Sequence, residues 1–212
     1  MGLTIFRWTF AATLAVIFMT SIYAYYRWRY EDGKRLRVVT PGKLYRSGQL
    51  SADGLDEAVS RFGIRTVLNL QNEAPDPTIK PGVSESEFLD SRGVKFVFLN
   101  VDLVKKWHAA EARPAAVARF IALMDNPDNF PMLIHCRAGL HRTGVLLALY
   151  RMEYEGWTRD EALRELKLHG FGRSACTARN DYIQQYVLFH EPRARRHNPP
   201  STASMWETRS TP

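Results

Sequence analysis

Ten consecutive residues constrain this chain more than any others: His135-Cys136-Arg137-Ala138-Gly139-Leu140-His141-Arg142-Thr143-Gly144. The apolar run Met132-Leu133-Ile134 precedes them, and the helical run Val145-Leu146-Leu147-Ala148-Leu149 follows. A strand therefore delivers a cysteine into a short loop, and the loop opens a helix. Five residues separate Cys136 from Arg142, and a loop of that length can curl until its backbone N–H groups face one centre. The helix N-terminus adds partial positive charge there, and the guanidinium of Arg142 closes the ring. The cradle runs from Arg137 through Ala138, Gly139, Leu140 and His141 to Arg142. It suits a tetrahedral oxyanion with the sulfur of Cys136 beneath the phosphorus.

The same surroundings favour a thiolate over a thiol, and a thiolate can attack a phosphomonoester. Thr143 sits where its hydroxyl could hydrogen-bond the sulfur and stabilise it as a leaving group. His135 is placed to orient the loop from behind. Gly139 lets the backbone turn where a Cβ would clash, and Gly144 allows close packing as the helix begins. A lone cysteine with an arginine six residues on is a weak signal, because buried cysteines are common. Here the preceding His, the internal Gly, the following Thr-Gly and the strand–loop–helix context all agree.

The segment resembles the HCxxGxxRTG loop of the cysteine-dependent protein tyrosine and dual-specificity phosphatase superfamily. The resemblance extends to Leu44-Tyr45-Arg46-Ser47-Gly48-Gln49, to Gly63-Ile64-Arg65-Thr66-Val67-Leu68-Asn69-Leu70 and to Glu155-Gly156-Trp157-Thr158-Arg159-Asp160-Glu161-Ala162. These pieces look like the compact bacterial members and the plant and fungal atypical dual-specificity group, over residues 40–170. The resemblance implies a dual-specificity phosphatase-like α/β fold, with Cys136, Arg142, Thr143 and a general acid as catalytic residues. One departure stands out. Relatives often carry an Arg soon after the Asn-Leu strand end, where this chain has Gln71-Asn72-Glu73.

The formal charge is +7, and its distribution decides what it means. Residues 1–40 carry +4 and residues 191–212 carry +2, which leaves +1 for residues 41–190. The basic excess lies outside the expected catalytic domain, so no nucleic-acid partner is expected. Residues 8–26 hold nineteen positions without a charge. At 1.5 Å per residue that helix spans about 28 Å, close to a hydrocarbon core of about 30 Å. Trp8 marks one end, and Tyr23, Tyr25, Tyr26 and Trp28 the other, as an interfacial belt would. A transmembrane anchor is favoured over a cleaved signal peptide, because the run is long and no small-x-small site stands out. Arg27, Arg29, Lys34, Arg35 and Arg37 follow the span, against Arg7 and the terminal amine before it, so the catalytic domain is expected in the cytoplasm. The expected division is a short segment 1–7, an anchor 8–26, a basic linker 27–37, a phosphatase domain 38–190 and a disordered tail 191–212. The two cysteines, Cys136 and Cys176, make no disulfide framework.

Elsewhere, Ser51 is expected to begin a helix that Gly63 stops. Residues 65–70 read as a buried strand, and the stretches around Pro75, Pro77 and Pro81-Gly82 as loop. Ser84 and Glu87 form a capping box before a short helix that Gly93 ends. Residues 95–101 read as a strand, 102–112 as a loop, 113–125 as a helix and 132–135 as the central strand. Thr158 and Glu161 form a second capping box, and 179–189 is the last expected helix. Alternating strands and helices argue for an α/β fold with a mainly parallel central sheet flanked by helices.

Phosphate transfer also needs a proton for the leaving oxygen. Asp102 is the candidate acid, at a strand end 34 positions before Cys136. Glu111 is the alternative, with His108 and His141 behind it, and Trp107 could line the rim. No metal-ligand spacing is visible, so neither metal nor cofactor is expected. The expected partners are a phosphoprotein or other phosphomonoester substrate, and the membrane. Relatives acting on inositol pyrophosphates carry more Lys and Arg within this loop, and here Ala138 and Leu140 fill two of its variable positions, which favours phosphotyrosine or mixed phosphoprotein substrates over inositol (pyro)phosphates. A phospho-binding module without turnover is the reading from another class, and intact Cys136, Arg142 and Thr143 oppose it.

Overall fold

The computed structural model describes residues 2–27, 34–101, 113–172 and 185–193. Its centre is the strand that delivers the cysteine. Met132–His135 (β7) lies between Leu44–Ser47 (β2) and Thr66–Asn69 (β3), parallel to both. All four residues of each of these strands are buried, as expected when helices cover both faces. Lys95–Phe98 (β6) adds a fourth parallel strand beside β3, and Arg37–Thr40 (β1) closes the other edge antiparallel to β2. The order is β1-β2-β7-β3-β6. A two-stranded ribbon, Thr78–Lys80 (β4) with Val83–Ser84 (β5), stands apart from the sheet.

Register brings the chemistry to one edge. Ser47, Asn69 and His135 are aligned partners at the carboxyl ends of β2, β3 and β7. Open α/β sheets bind ligands at this edge.

Side chains alternate across the sheet with the period of two that a strand imposes. On one face Leu44, Leu68, Met132 and Ile134 join the larger core with the helices Ala115–Asp125 (α4), Arg142–Tyr150 (α5) and Arg159–Leu168 (α6). On the other face Tyr45, Val67 and Leu133 pack with Ala52–Phe62 (α2) and Glu85–Asp90 (α3). A wider π-helical turn, Arg151–Glu155, continues α5, and a short helix, Gln185–Leu188 (α7), packs on α5 and α6. The result is a mixed α/β fold with a central sheet flanked by helices.

The helix signals read from sequence are present. The Ser51 hydroxyl accepts from Gly54 N–H at the start of α2, and Gly63 ends that helix at φ +60°. Ser84 with Glu87, and Thr158 with Glu161, form complete capping boxes. Several boundaries differ. The strands expected at 65–70 and 95–101 pair only over Thr66–Asn69 and Lys95–Phe98. Helix α4 starts at Ala115 behind Pro114, because proline fits a helix only at its beginning. Of the helix expected at 179–189, only Gln185–Leu188 falls among the described residues as helix. The two hairpins, β1–β2 and β4–β5, were not foreseen.

At the N-terminus, Gly2–Arg27 (α1) is one helix. Residues 7–26 are long and apolar enough to cross a membrane, with a mean hydropathy of 1.4, and none of this stretch is buried. A signal sequence would meet the same criterion.

Candidate active site

Backbone N–H groups can converge on a centre only if the carbonyls between them turn outward, and each buried carbonyl then needs a donor. The structure supplies these donors around the loop after β7. The His135 carbonyl accepts from Leu70 N–H at 2.9 Å and the Arg137 carbonyl from Gln49 N–H at 3.2 Å. Arg35 Nη1 donates to the Ala138 carbonyl at 2.9 Å, and Arg46 Nη2 to the Gly139 carbonyl at 2.8 Å. The first turn of α5 takes the rest: Gly144 N–H donates to the Leu140 carbonyl at 3.1 Å and Val145 N–H to the His141 carbonyl at 2.9 Å. In a trans peptide the N–H points opposite to the preceding carbonyl. The N–H groups of Ala138, Gly139 and Leu140 are thereby turned away from the donors outside the loop.

Two glycines are required sterically. Gly139 has φ +66°, and a Cβ there would lie 2.4 Å from the Ser47 carbonyl oxygen. A Cβ on Gly144 would lie 2.6 Å from Leu166 Cδ1, which seats α5 against α6. No side chain caps the start of α5 from His141, so its N-terminal turn is left for another acceptor.

Cys136 is a free, buried thiol, 4 % exposed. Arg46, equally buried, lies under the loop; burial first, partly offset by Glu165, draws its guanidinium down to about 10. It stays cationic at neutral pH beneath the cysteine. Thr143 is fully buried and its Oγ1 has no hydrogen-bond partner among the described residues, so the expected bond to the sulfur is not formed in this state. His135 lies behind the loop as expected, 2 % exposed, with Nε2 3.2 Å from Glu85 Oε1 but without the alignment of a hydrogen bond. Gln49 Nε2 donates to the same carboxylate oxygen at 3.3 Å, and Gln71 bonds to Gln49.

Arg142, at the head of α5, donates from Nη1 to Glu73 Oε2 at 2.7 Å. Burial works to raise the Glu73 pKa. The Glu73 backbone N–H, the bond from Arg142 and the charges of Arg142 and Arg137 outweigh it and hold the carboxyl below its usual range. His141 sits partly buried, its ring edge-on to Phe171. Burial, then the charges of Arg142 and Arg35, hold its imidazole below the usual range.

Cys136, Arg137, Ala138, Gly139, Leu140, His141, Arg142 and Thr143 are thus brought together in one loop and the first turn of α5. Asp102, Glu111, His108, Trp107 and Cys176 lie outside the described residues. Sequence reasoning did not foresee Arg35, Arg46, Gln49, Glu73 or Glu85 as parts of the site. Arg46 and Gln49 stood within a stretch already singled out, and Glu73 stood at the departure after β3. Arg35 gave no signal beyond its charge.

A family model described as "DSP-PTPase phosphatase fused to NAD+ Kinase" matches residues 27–184. The chain belongs to this DSP-PTPase family. Among curated relatives, the dual specificity protein phosphatase TpbA of Pseudomonas aeruginosa (strain UCBPP-PA14) is 45 % identical over 42 residues, which is 20 % of this chain and 19 % of TpbA. The OCA1 protein of Scheffersomyces stipitis is 28 % identical over 138 residues, 58 % of this chain and 63 % of OCA1. The chain thus matches about a fifth of TpbA's length and under two thirds of OCA1's. In fold, the DSP-PTPase domain is similar to the catalytic core of Siw14, with a TM-score of 0.59 at 20 % identity, covering 77 % of this chain and 89 % of that one. It is similar to the P. aeruginosa TpbA crystal structure at a TM-score of 0.57 and 21 % identity, covering 77 % and 89 %.

Proposed function

We propose that this chain is a membrane-anchored, cysteine-dependent phosphatase that hydrolyses phosphomonoesters on proteins, phosphotyrosine or mixed. The observation that carries the reading is the outward pinning of the loop carbonyls above a buried, free Cys136, with Arg142 at the mouth.

The sulfur of Cys136 attacks phosphorus, the phosphorus–oxygen bond to the leaving group breaks, and a cysteinyl phosphate forms. The leaving oxygen takes a proton from a general acid, assigned to Asp102 with Glu111 as the alternative. Water then gives a proton to the carboxylate left by that acid and attacks phosphorus, the phosphorus–sulfur bond breaks, and inorganic phosphate is released. The loop N–H groups, the start of α5 and Arg142 bind the three non-bridging oxygens throughout, a role that is strongest where charge builds in the transition state. Thr143, buried with a free hydroxyl 0 % exposed, is the group assigned to stabilise the departing sulfur.

A protein substrate is favoured over an inositol (pyro)phosphate by the loop's own residues. Ala138 and Leu140 add no charge, and the Glu73 carboxylate stands at the mouth beside Arg142. The inositol reading keeps one support: the structural neighbour SIW14 of S. cerevisiae is a PP-IP phosphatase, at 21 % identity.

Anchoring through α1 rests on its length and on its polar side chains. Thr13 and Ser21 hydroxyls donate to the carbonyls four residues earlier at 2.9 and 2.8 Å, and Thr20 does the same to Val16. Hydroxyls satisfied within the helix suit an apolar surrounding. The five basic residues from Arg27 to Arg37 support a cytoplasmic catalytic domain.

Turnover of a phosphotyrosine peptide and an aryl phosphate by the full chain, without added metal, tests the reading. The parent is expected to be active and Cys136→Ser inactive. Undiminished activity in Cys136→Ser would overturn it.

A further inference from the structure

We infer that Arg35, in the basic segment that follows the apolar helix in sequence, is a positioning residue of the anion cradle, so that Lys34 and Arg35 are part of the site. The inference rests on the phosphatase reading and adds a part to it.

Four observations converge on this segment. Arg35 Nη1 donates to the Ala138 carbonyl at 2.9 Å, across 103 positions of sequence. Immediately before it, the Lys34 carbonyl accepts from Gly48 N–H at 2.7 Å. The Lys34 stem lies over Gly48, where a Cβ would meet its Cγ at 3.0 Å and the Arg137 carbonyl oxygen at 3.2 Å. Arg35 itself has φ +58°, the one positive φ outside glycine among the described residues. A long side chain holds that conformation only when its surroundings over-determine it, and such positions gather at functional sites.

The consequence follows from peptide geometry. The Ala138 carbonyl and the Gly139 N–H belong to one planar trans peptide and point in opposite directions. A guanidinium that holds the carbonyl outward therefore aims the Gly139 N–H inward. Arg46 does the same for the next peptide, through the Gly139 carbonyl at 2.8 Å. Arg46 does so from inside the fold, as part of β2. Arg35 does so from the outside, eight residues past the last residue of Gly2–Arg27. Without Arg35 the Ala138–Gly139 peptide is free to rotate, and the cradle loses a donor. Burial and the charge of Arg142, then the charge of Arg35, hold the His141 imidazole below its usual range.

Arg35→Asn in the full chain tests this, because Asn adopts a positive φ readily and so removes the guanidinium while sparing the backbone. The readouts are the inhibition constant of vanadate, the kcat and KM for an aryl phosphate, and the melting temperature. Loss of one charge-assisted hydrogen bond predicts vanadate inhibition weakened roughly tenfold or more. KM should rise more than kcat falls, with little change in melting. Arg35→Lys keeps a cationic donor and is expected to recover most of the affinity, whereas Arg35→Met, which keeps a stem without the charge, is not. Parental vanadate inhibition in Arg35→Asn, or an Arg35→Lys no better than Arg35→Asn, would overturn the inference. An inactive parent would instead count against the phosphatase reading.

Discussion

The Arg142 guanidinium is held by the Glu73 carboxylate, Nη1 to Oε2 at 2.7 Å, across 69 positions of sequence. Glu73 follows β3 in the stretch Gln71-Asn72-Glu73, and its carboxylate meets the arginine proposed to bind phosphate. Both groups are partly exposed, at 26 % for Arg142 and 43 % for Glu73, so solvent tempers their attraction. The pair does two things. It holds the Nη1 edge of the guanidinium, and it places a negative charge beside Arg142.

That charge predicts a selectivity. Glu73→Gln should raise the efficiency toward substrates with a second phosphate next to the scissile one, roughly two- to fivefold relative to an aryl monophosphate. The effect should hold throughout the neutral range, since the Glu73 carboxyl titrates below its usual range and is ionised there. Paired kcat/KM measurements on an inositol polyphosphate and an aryl phosphate check this. An unchanged ratio would mean that Glu73 only steadies Arg142.

Asp102→Asn tests the proposed general acid apart from the cradle. Alkyl phosphates have poor leaving groups and should slow roughly a hundredfold or more. Activated aryl phosphates need no proton and should be spared, and the basic limb of the pH profile should vanish. Inhibition by vanadate should persist. Equal slowing of both substrates with the basic limb intact would move the role to Glu111.

The sequence made the centre of the fold legible. A run as apolar as Met132-Leu133-Ile134 before a cysteine loop admits little besides a buried central strand, and β7 occupies those positions. The capping signals at Ser51, Ser84 and Thr158 act within four residues, so they survive into the structure. The hairpins were hidden for the opposite reason. β1, β4 and β5 are two to four residues long with no fully buried position, so neither periodicity nor an apolar run marks them, and Pro81-Gly82 reads as loop without flanking strands. The site divided along the same line. Cys136, Arg142 and Gly139 are neighbours in sequence. Arg35, Arg46 and Glu73 reach the loop only through tertiary packing, and no local pattern marks a residue that serves a distant carbonyl. A domain boundary at residue 38 would leave out Lys34 and Arg35, both in contact with Gly48 or the cradle.

Stability should fall in acid through one cluster behind α5. Arg193 pairs with Glu153, which is 2 % exposed, and with Asp125, while Glu153 also lies 3.0 Å from the buried His190. Burial works to raise the Glu153 pKa, but the bonds and charge of Arg193 and the charge of His190 hold it below the usual range. Its stabilisation is therefore complete above an ordinary Glu pKa of about 4.3 and is lost as pH falls through the lower folded value. His190 is held below its usual range, by burial before anything else. The fold thus disfavours its protonation relative to the unfolded chain, so stability already declines as pH drops below about 6.5. Glu153→Gln should cost about 1–3 kcal/mol at neutral pH, a shift of roughly 2–10 °C, and flatten the acid limb. Melting curves from pH 4 to pH 8 read both. A limb unchanged in Glu153→Gln would assign acid sensitivity elsewhere.

Trapping the covalent intermediate tests the central claim most directly. The full chain is mixed with a phosphotyrosine peptide, quenched in acid within its first turnover, digested and weighed by mass spectrometry. The cradle geometry predicts one added phosphoryl group on the peptide that contains Cys136, and none in Cys136→Ser. Turnover with no phosphoryl group on Cys136, or a phosphoryl group on another residue that persists in Cys136→Ser, would contradict it.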